Sequence, residues 1–290
     1  MKLYMETNDY LRKLDFEKFC SFFETNFGIL LPKNKQYLPY LRLKNIIEKE
    51  GIRTLSQLIE RTKDSAHCKL KKQIVDAMTI RETLWFRDST PFEILKSKIF
   101  PEITYKGSKP IRIWSAACST GQEPFSIGIA AYEFLLEKTD NIEYLTSDFE
   151  IVATDISSAA LSYAKEGTYD KLALSRGLTE IRKLRFFNSN GKNWQVKNKI
   201  RKMVSFKELN LQKSFFNLAK FDVIFCRNVL IYFSDDLKRD ILTRFAKALN
   251  PKGYLFVGGS EQIAKHTSLF KQVKSFGGLV NQLETNPYKG

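Results

Sequence analysis

Apolar positions between residues 11 and 76 recur at helical spacing: Phe16, Phe19, Phe23 and Phe27, then Leu38, Leu41, Ile46 and Ile47, then Leu55, Leu58 and Ile59. The pattern predicts a small helical bundle punctuated by Gly28, Pro32 and Gly51, with one helix starting at Thr54-Leu-Ser-Gln. After a connecting stretch over 81–109 the periodicity changes. Short β-rich runs at 111–117, 151–155, 203–206, 221–226 and 254–257 alternate with helical segments at 123–138, 157–166 and 235–249. That alternation predicts a parallel sheet with helices on both faces. Residues 270–275 and 278–283, split by Phe276-Gly277, read as a hairpin that closes the sheet edge. Phe186-Phe-Asn-Ser-Asn-Gly-Lys-Asn-Trp-Gln-Val196 does not fit the alternation, and its central Asn-Gly predicts a small antiparallel insertion.

A length of 290 residues favours a main domain with a smaller companion. The expected layout is a helical domain over 1–80, the connecting segment over 81–109, and an α/β domain over 110–290 with a β subdomain inserted at about 184–202. Hydrophobic residues at 43% and aromatics at 13% place the chain among folded proteins and exclude a disordered one. The first residues carry no long apolar run and no uncharged stretch is long enough to span a bilayer, so a cytoplasmic protein with no membrane insertion is expected. Cys20, Cys68, Cys118 and Cys226 are scattered, and only His67 and His266 are available to complete a metal site, so reduced thiols and no metal are expected.

The net charge of +15 asks for an acidic partner: nucleic acid, a membrane surface or an acidic protein. Thirteen Lys or Arg against three acids lie between Asp170 and Lys220, so most of the excess sits in one segment. A solvated face serving solubility explains the same charge equally well.

In a doubly wound sheet the ligand lies beyond the carboxyl ends of the strands. After the first β run, Cys118-Ser-Thr-Gly-Gln-Glu-Pro124 offers Gly121 for close backbone approach and a helix start with free N–H groups, although a plain strand-to-helix turn would look the same. The second run ends in Asp155, which suits the two hydroxyls of a ribose or, alternatively, caps the next helix. Thirty-four residues separate it from Gly121, more than the dinucleotide pattern has. The polar loop over 139–148 accounts for the excess. The fourth run leads into Cys226-Arg-Asn-Val-Leu-Ile-Tyr-Phe233, where Asn228 suits an amine or carboxylate and Tyr232 brings a phenol. Val229, Ile231 and Phe233 read as packing residues.

The strings Trp114-Ser-Ala-Ala-Cys-Ser-Thr-Gly-Gln-Glu-Pro-Phe-Ser-Ile127, Ala153-Thr-Asp-Ile156 and Phe221-Asp-Val-Ile-Phe-Cys-Arg-Asn-Val-Leu-Ile-Tyr-Phe233 resemble the CheR-type chemotaxis receptor (protein-glutamate) O-methyltransferases. The likeness takes in the helical start and Thr83-Leu-Trp-Phe-Arg87, nearly the whole chain. It implies a class I S-adenosylmethionine-dependent methyltransferase fold: a Rossmann-like doubly wound sheet with a C-terminal hairpin, an N-terminal all-α domain and a small inserted antiparallel β subdomain. The implied reaction moves a methyl group from S-adenosyl-L-methionine to glutamate side chains of chemotaxis receptors, leaving S-adenosyl-L-homocysteine. By resemblance Thr83, Arg87, Glu123, Asp155, Asn210, Leu211, Arg227 and Asn228 stand at cofactor contacts. Arg81 stands where the family usually has Asn, so that contact is lost or taken by a cation. Gln122 replaces a frequent Glu.

A glutamate is already ionised at neutral pH, so transfer needs alignment and desolvation and no general base. Arg87 is expected to hold the incoming carboxylate by a charge-assisted fork, or else only to brace the cofactor or the domain junction, and Tyr232 to line the transfer site. Lys33, Lys35, Arg42, Lys44 and Lys49 make the helical domain basic, and the resemblance implies that this domain holds the receptor's cytoplasmic methylation helices. In some relatives the β subdomain takes a receptor's C-terminal peptide by edge-strand addition. A nucleic-acid methyltransferase is the main rival, but no Pro-Pro-aromatic or Pro-Cys motif follows the fourth run, so no nucleic-acid partner is expected. A module that keeps the fold and has lost catalysis through Arg81 is the other.

Overall fold

The computed structural model describes residues 2–67, 69–137 and 144–284. It contains two compact units, Met1–Ile80 with Tyr232–Leu237 and Arg81–Ile231 with Lys238–Gly290. Cys68 and the first part of the polar loop over 139–148 lie outside the described residues.

The helical unit comprises α1 (Lys2–Phe27), α2 (Tyr37–Lys49), α3 (Leu55–Arg61) and α4 (Leu70–Met78). Phe16, Phe19, Phe23 and Phe27 of α1 are all buried, as their spacing predicts. On α2 the phase differs from the expectation, because Leu43 is buried and Leu41 is exposed. The start of α3 is a capping box: the Thr54 hydroxyl accepts from Gln57 N–H while Gln57 Oε1 accepts from Thr54 N–H.

The second unit opens with α5 (Thr90–Ile94), which runs through a π-helical turn at Leu95–Ile99 into α6 (Phe100–Tyr105). Then follow β1 (Ile111–Ala116), α7 (Gln122–Glu137), β2 (Phe149–Asp155), α8 (Ser158–Glu166), β3 (Thr168–Asp170), α9 (Lys171–Ser175) and α10 (Glu180–Phe186). The chain continues with β4 (Phe187–Asn190), β5 (Asn193–Val196), α11 (Asn198–Arg201), β6 (Val204–Glu208) and β7 (Phe221–Cys226). It ends with α12 (Asp235–Ala248), β8 (Leu249–Val257), β9 (Phe270–Ser275) and β10 (Gly278–Leu283).

Seven strands form one sheet in the order β6-β2-β1-β7-β8-β10-β9, and the first five are parallel. β10 runs antiparallel to both of its neighbours. The central strands are buried along nearly their whole length, which explains why they read as continuous apolar runs. Ile113 pairs with Ile151 on one side and Val223 on the other, so the ends of β1, β2 and β7 come level. Residues 116–121, 155–157, 226–231 and 258–261 therefore share one end of the sheet.

The inserted sheet has the order β3-β5-β4, all antiparallel. The Asn-Gly hairpin of β4 and β5 matches the sequence expectation. The sheet also recruits β3, so the insertion reaches back from the expected 184 to Thr168. Three residues are too few to show a period. Among the described residues no helix is long and apolar enough to cross a membrane.

Candidate active site

Beyond β1 the backbone turns sharply, with Ala117, Ser119 and Gly121 all at positive φ. Gly121 is the position that demands glycine, since a Cβ there would meet the Ala164 Cβ at 2.9 Å and the Tyr169 hydroxyl at 3.0 Å. This loop is fixed to the second strand. Cys118 N–H donates to the Thr154 carbonyl at 2.9 Å, and Ser119 N–H donates to Asp155 Oδ2 at 2.8 Å. The other Asp155 oxygen accepts from Ser157 N–H at 2.8 Å. The helix cap belongs to Ser157, whose hydroxyl accepts from Ala160 N–H, so Asp155 organises the loop instead of capping α8.

Glu123 stands in the first turn of α7 with little of its side chain exposed. Its Oε1 accepts from the Ser115 hydroxyl at 2.7 Å, and its Oε2 lies 3.4 Å from Arg227 Nη1. Burial pushes the Glu123 pKa up, against the pull of Arg227, the Ser115 hydrogen bond and Arg87. The guanidinium of Arg227 is buried and turns its Nη2 to the Arg87 carbonyl at 2.9 Å and to Asp88 Oδ2 at 2.6 Å. The 85–88 segment, where Phe86 and Asp88 have positive φ, is thus held against the end of β7. Trp85 anchors it from the other side: its backbone N–H donates to the Arg176 carbonyl and its ring packs edge-on against Tyr169 and Phe187. A Cβ on Gly177 would come 2.1 Å from the Trp85 carbonyl oxygen, so only glycine lets the insertion approach this closely.

Asn228 follows β7 with φ of 58°, and its N–H donates to Glu261 Oε2 at 2.8 Å. The same carboxylate accepts from Gly258 N–H at 2.6 Å and Ile231 N–H at 3.3 Å. Glu261 thereby ties the ends of β7 and β8 together, a role that the sequence reading missed. Its signal was present: Gly258-Gly-Ser-Glu261 directly follows the β run over 254–257, at a strand end where ligand-binding residues are expected. Ser115, Asp88 and Ser119 were missed as well. Ile231, expected to pack, is half exposed, whereas Phe233 is buried.

After β6, Leu209 N–H donates to the Asp155 carbonyl, and Asn210 Oδ1 accepts from Gln212 N–H at 2.9 Å. Arg244 of α12 holds this turn by donating to the carbonyls of Leu211 and Lys213. Gln122 suits its buried position because its Oε1 accepts from the Thr120 hydroxyl at 2.8 Å. Of the residues singled out from sequence, Gly121, Glu123, Asp155, Asn210, Leu211, Arg227 and Asn228 thus come together at one end of the sheet, with Arg87 clamped to it. Thr83 is half-buried on the same connecting segment and Arg81 is exposed. Tyr232 belongs to the helical unit, where its carbonyl accepts from Leu30 N–H at 2.8 Å. Cys118 and Cys226 lie buried beside the site, and burial pushes both thiols well above their ordinary range, so neither is a nucleophile.

Two buried oxygens at this end, Ser119 Oγ and Asn228 Oδ1, have no hydrogen-bond partner within the protein. Buried polar atoms are rarely left unpaired, and a polar ligand between the two loops would satisfy both. The Asp155 carboxylate, which accepts from the N–H groups of Ser119 and Ser157, stands between the same two loops. These oxygens suit a ligand that brings hydroxyl and ammonium donors, as a nucleoside bearing an amino-acid tail does.

Sheet order, antiparallel hairpin and strand-end carboxylate together define a class I methyltransferase that uses S-adenosylmethionine. The family described as "CheR methyltransferase, SAM binding domain" matches residues 81–278, and "CheR methyltransferase, all-alpha domain" matches residues 14–79. Chemotaxis protein methyltransferase Cher2 of Pseudomonas putida is 46% identical over 271 residues, 93% of this chain and 98% of that protein. Chemotaxis protein methyltransferase 1 of Pseudomonas aeruginosa is 48% identical over 92% of this chain and 96% of its own length. The chain belongs to the CheR methyltransferase family, and it is an S-adenosylmethionine-dependent chemotaxis protein methyltransferase.

Proposed function

We propose that this enzyme works in the cytoplasm on glutamate carboxylates of the receptors' methylation helices, and that the strand-end residues divide the work. Asp155 accepts the ribose hydroxyls, while the Gly121 loop lets the backbone approach the nucleoside. Asn210 and Leu211 flank the base, and Glu123, Arg227, Asn228 and Thr83 hold the amino-acid end, with Arg81 at its margin. Bound S-adenosylmethionine supplies an electrophilic methyl group on a sulfonium.

Arg87 grips the incoming carboxylate and Tyr232 lines the transfer site. The observation that carries this reading is the clamp on Arg87: Arg227, itself buried and paired with Glu123, fixes the Arg87 carbonyl at 2.9 Å. A cation on an immobilised backbone can hold a carboxylate in line at little further entropic cost, and alignment of this kind is worth on the order of 7–11 kcal/mol in favourable cases. The substrate oxygen is ionised at neutral pH, so these residues need move no proton.

Edge strands β3 and β4 of the inserted sheet support capture of a receptor's C-terminal peptide by strand addition. The basic side of the helical unit supports docking of the methylation helices, although Arg42 is partly engaged with the Met78 carbonyl and Lys44 lies 3.9 Å from Glu48.

Transfer of labelled methyl to receptor cytoplasmic fragments, with a Glu-to-Gln fragment as control, tests the substrate. Base-labile label that disappears in the control is the expected result, and label on nucleic acid instead would overturn it. Arg87→Ala is expected to cut turnover more than cofactor affinity; a fall in affinity alone removes the assigned role.

A further inference from the structure

The β9–β10 hairpin breaks a local rule at the site end of the sheet. Ser275 pairs with Gly278, so Phe276 and Gly277 form a two-residue turn, with φ of 48° and 73°. A turn with both central residues left-handed favours Asn-Gly, and an aromatic residue at its first position is strained. No packing offsets that strain, because Phe276 is 67% exposed. Leu279 is 54% exposed and faces outward opposite Lys274, while the neighbouring Val280 is fully buried. Positions that break a local rule without a packing gain are where functional residues are expected.

The hairpin is placed for such a role. Asn281 pairs with Leu255, and continuing that register brings Gly278 level with Gly258, whose N–H is held by Glu261. Its root is fixed as well: a Cβ on Gly278 would meet Thr90 Cγ2 at 2.3 Å, three residues beyond Arg87. Ile231, tied by its N–H to Glu261, is 50% exposed at the same end.

We propose that Ile231, Phe276 and Leu279 form an apolar rim that seats the nonpolar stripe of the helix carrying the target glutamate, with Lys274 facing that helix's acidic residues. The proposal rests on receptor glutamates being the substrate. An amphipathic acidic helix is the occupant that fits: its anchors recur on one face, its charge complements Lys274 and a chain of net charge +15, and Ile231 and the hairpin turn lie at the same end of the sheet as the site.

Steady-state methylation at saturating cofactor, with receptor fragment varied, tests the rim. Phe276→Asn removes the ring and suits the turn, so its melting temperature should hold or rise. In Phe276→Asn/Leu279→Thr the KM for the fragment is expected to rise at least about tenfold, with kcat and cofactor affinity within about twofold of wild type. Lys274→Glu should raise KM most at low salt, and Phe276→Leu should recover most of the affinity. A KM within about twofold of wild type in the double variant, or a loss carried by cofactor affinity, overturns the rim alone. A wild-type enzyme that binds cofactor yet labels no fragment overturns the substrate reading, and the rim with it.

Discussion

Asp155 does two things with one carboxylate. Its oxygens hold Ser119 N–H and Ser157 N–H, and so shape the two loops between which a ribose would lie. Asp155→Ala is expected to lower cofactor affinity at least about 100-fold by calorimetry, since hydrogen bonds to a charged group are worth about 1.5–3 kcal/mol each and two ribose bonds would go. Asp155→Asn should fall between, because its amide must turn an NH₂ group toward one of the two N–H donors. A change smaller than about threefold in Asp155→Ala would remove the ribose from Asp155. This residue was legible in the sequence because a carboxylate at a strand end has a place in the fold before any contact is known. Glu261 was not, since it acts through backbone donors of Asn228, Gly258 and Ile231, whose convergence is a property of the folded loops. The same holds for Gly177, where glycine is required by a neighbour eighty or more positions away in the chain.

At the level of elements, the stripe of α1, the parallel runs and the Asn-Gly hairpin matched, while β3, α9 and α11 were not foreseen. The stripe of Phe16, Phe19, Phe23 and Phe27 is long enough for period to decide, and the five parallel runs show as short β-rich stretches bounded by turns. β3, α9 and α11 span three to five residues; β3 packs on Trp85 through Tyr169, and α11 packs on α7 through Ile200 beside Gly128. In the helical unit an unforeseen device joins three elements, α1, α2 and α3. Asp15 of α1 accepts from the N–H groups of Leu55 and Ser56 at the start of α3, and from the hydroxyls of Ser56 and Tyr40. Burial alone would raise its pKa, but the hydrogen bonds from Ser56, Tyr40 and Leu55 outweigh it and hold the carboxyl below its ordinary range. A depressed pKa contributes stability that is present above about pH 4 and is lost as pH falls through the folded-state value. Thermal unfolding followed between pH 6 and pH 3 should therefore show a steeper acid loss in wild type than in Asp15→Asn. Equal slopes would mean that the cap adds nothing through its charge.

For the whole molecule the open question is what the charge of +15 does. Part of the basic segment between Asp170 and Lys220 is engaged within the fold. Arg182 pairs with Glu133 and stacks over Phe86, Arg176 reaches Glu82, Lys183 lies over Trp194, and Lys199 lies over Tyr132. These contacts fix the insertion in place, but they do not cancel a net excess, because every acid they use is already counted in the total. The uncompensated field must act on something outside the chain or on solubility alone, and the two differ in their response to salt. Exposed charges are screened beyond about 10 Å at 0.1 M ionic strength and about 3 Å at 1 M. If the field draws in acidic receptor helices, the association rate with a receptor fragment, read by stopped flow, should fall at least about tenfold across that range. Cofactor affinity should hardly move, since the strand-end groups proposed to bind it are buried or half-buried and screened far less. An association rate flat in salt would assign the excess to solubility and leave recognition to apolar contact at the site end of the sheet.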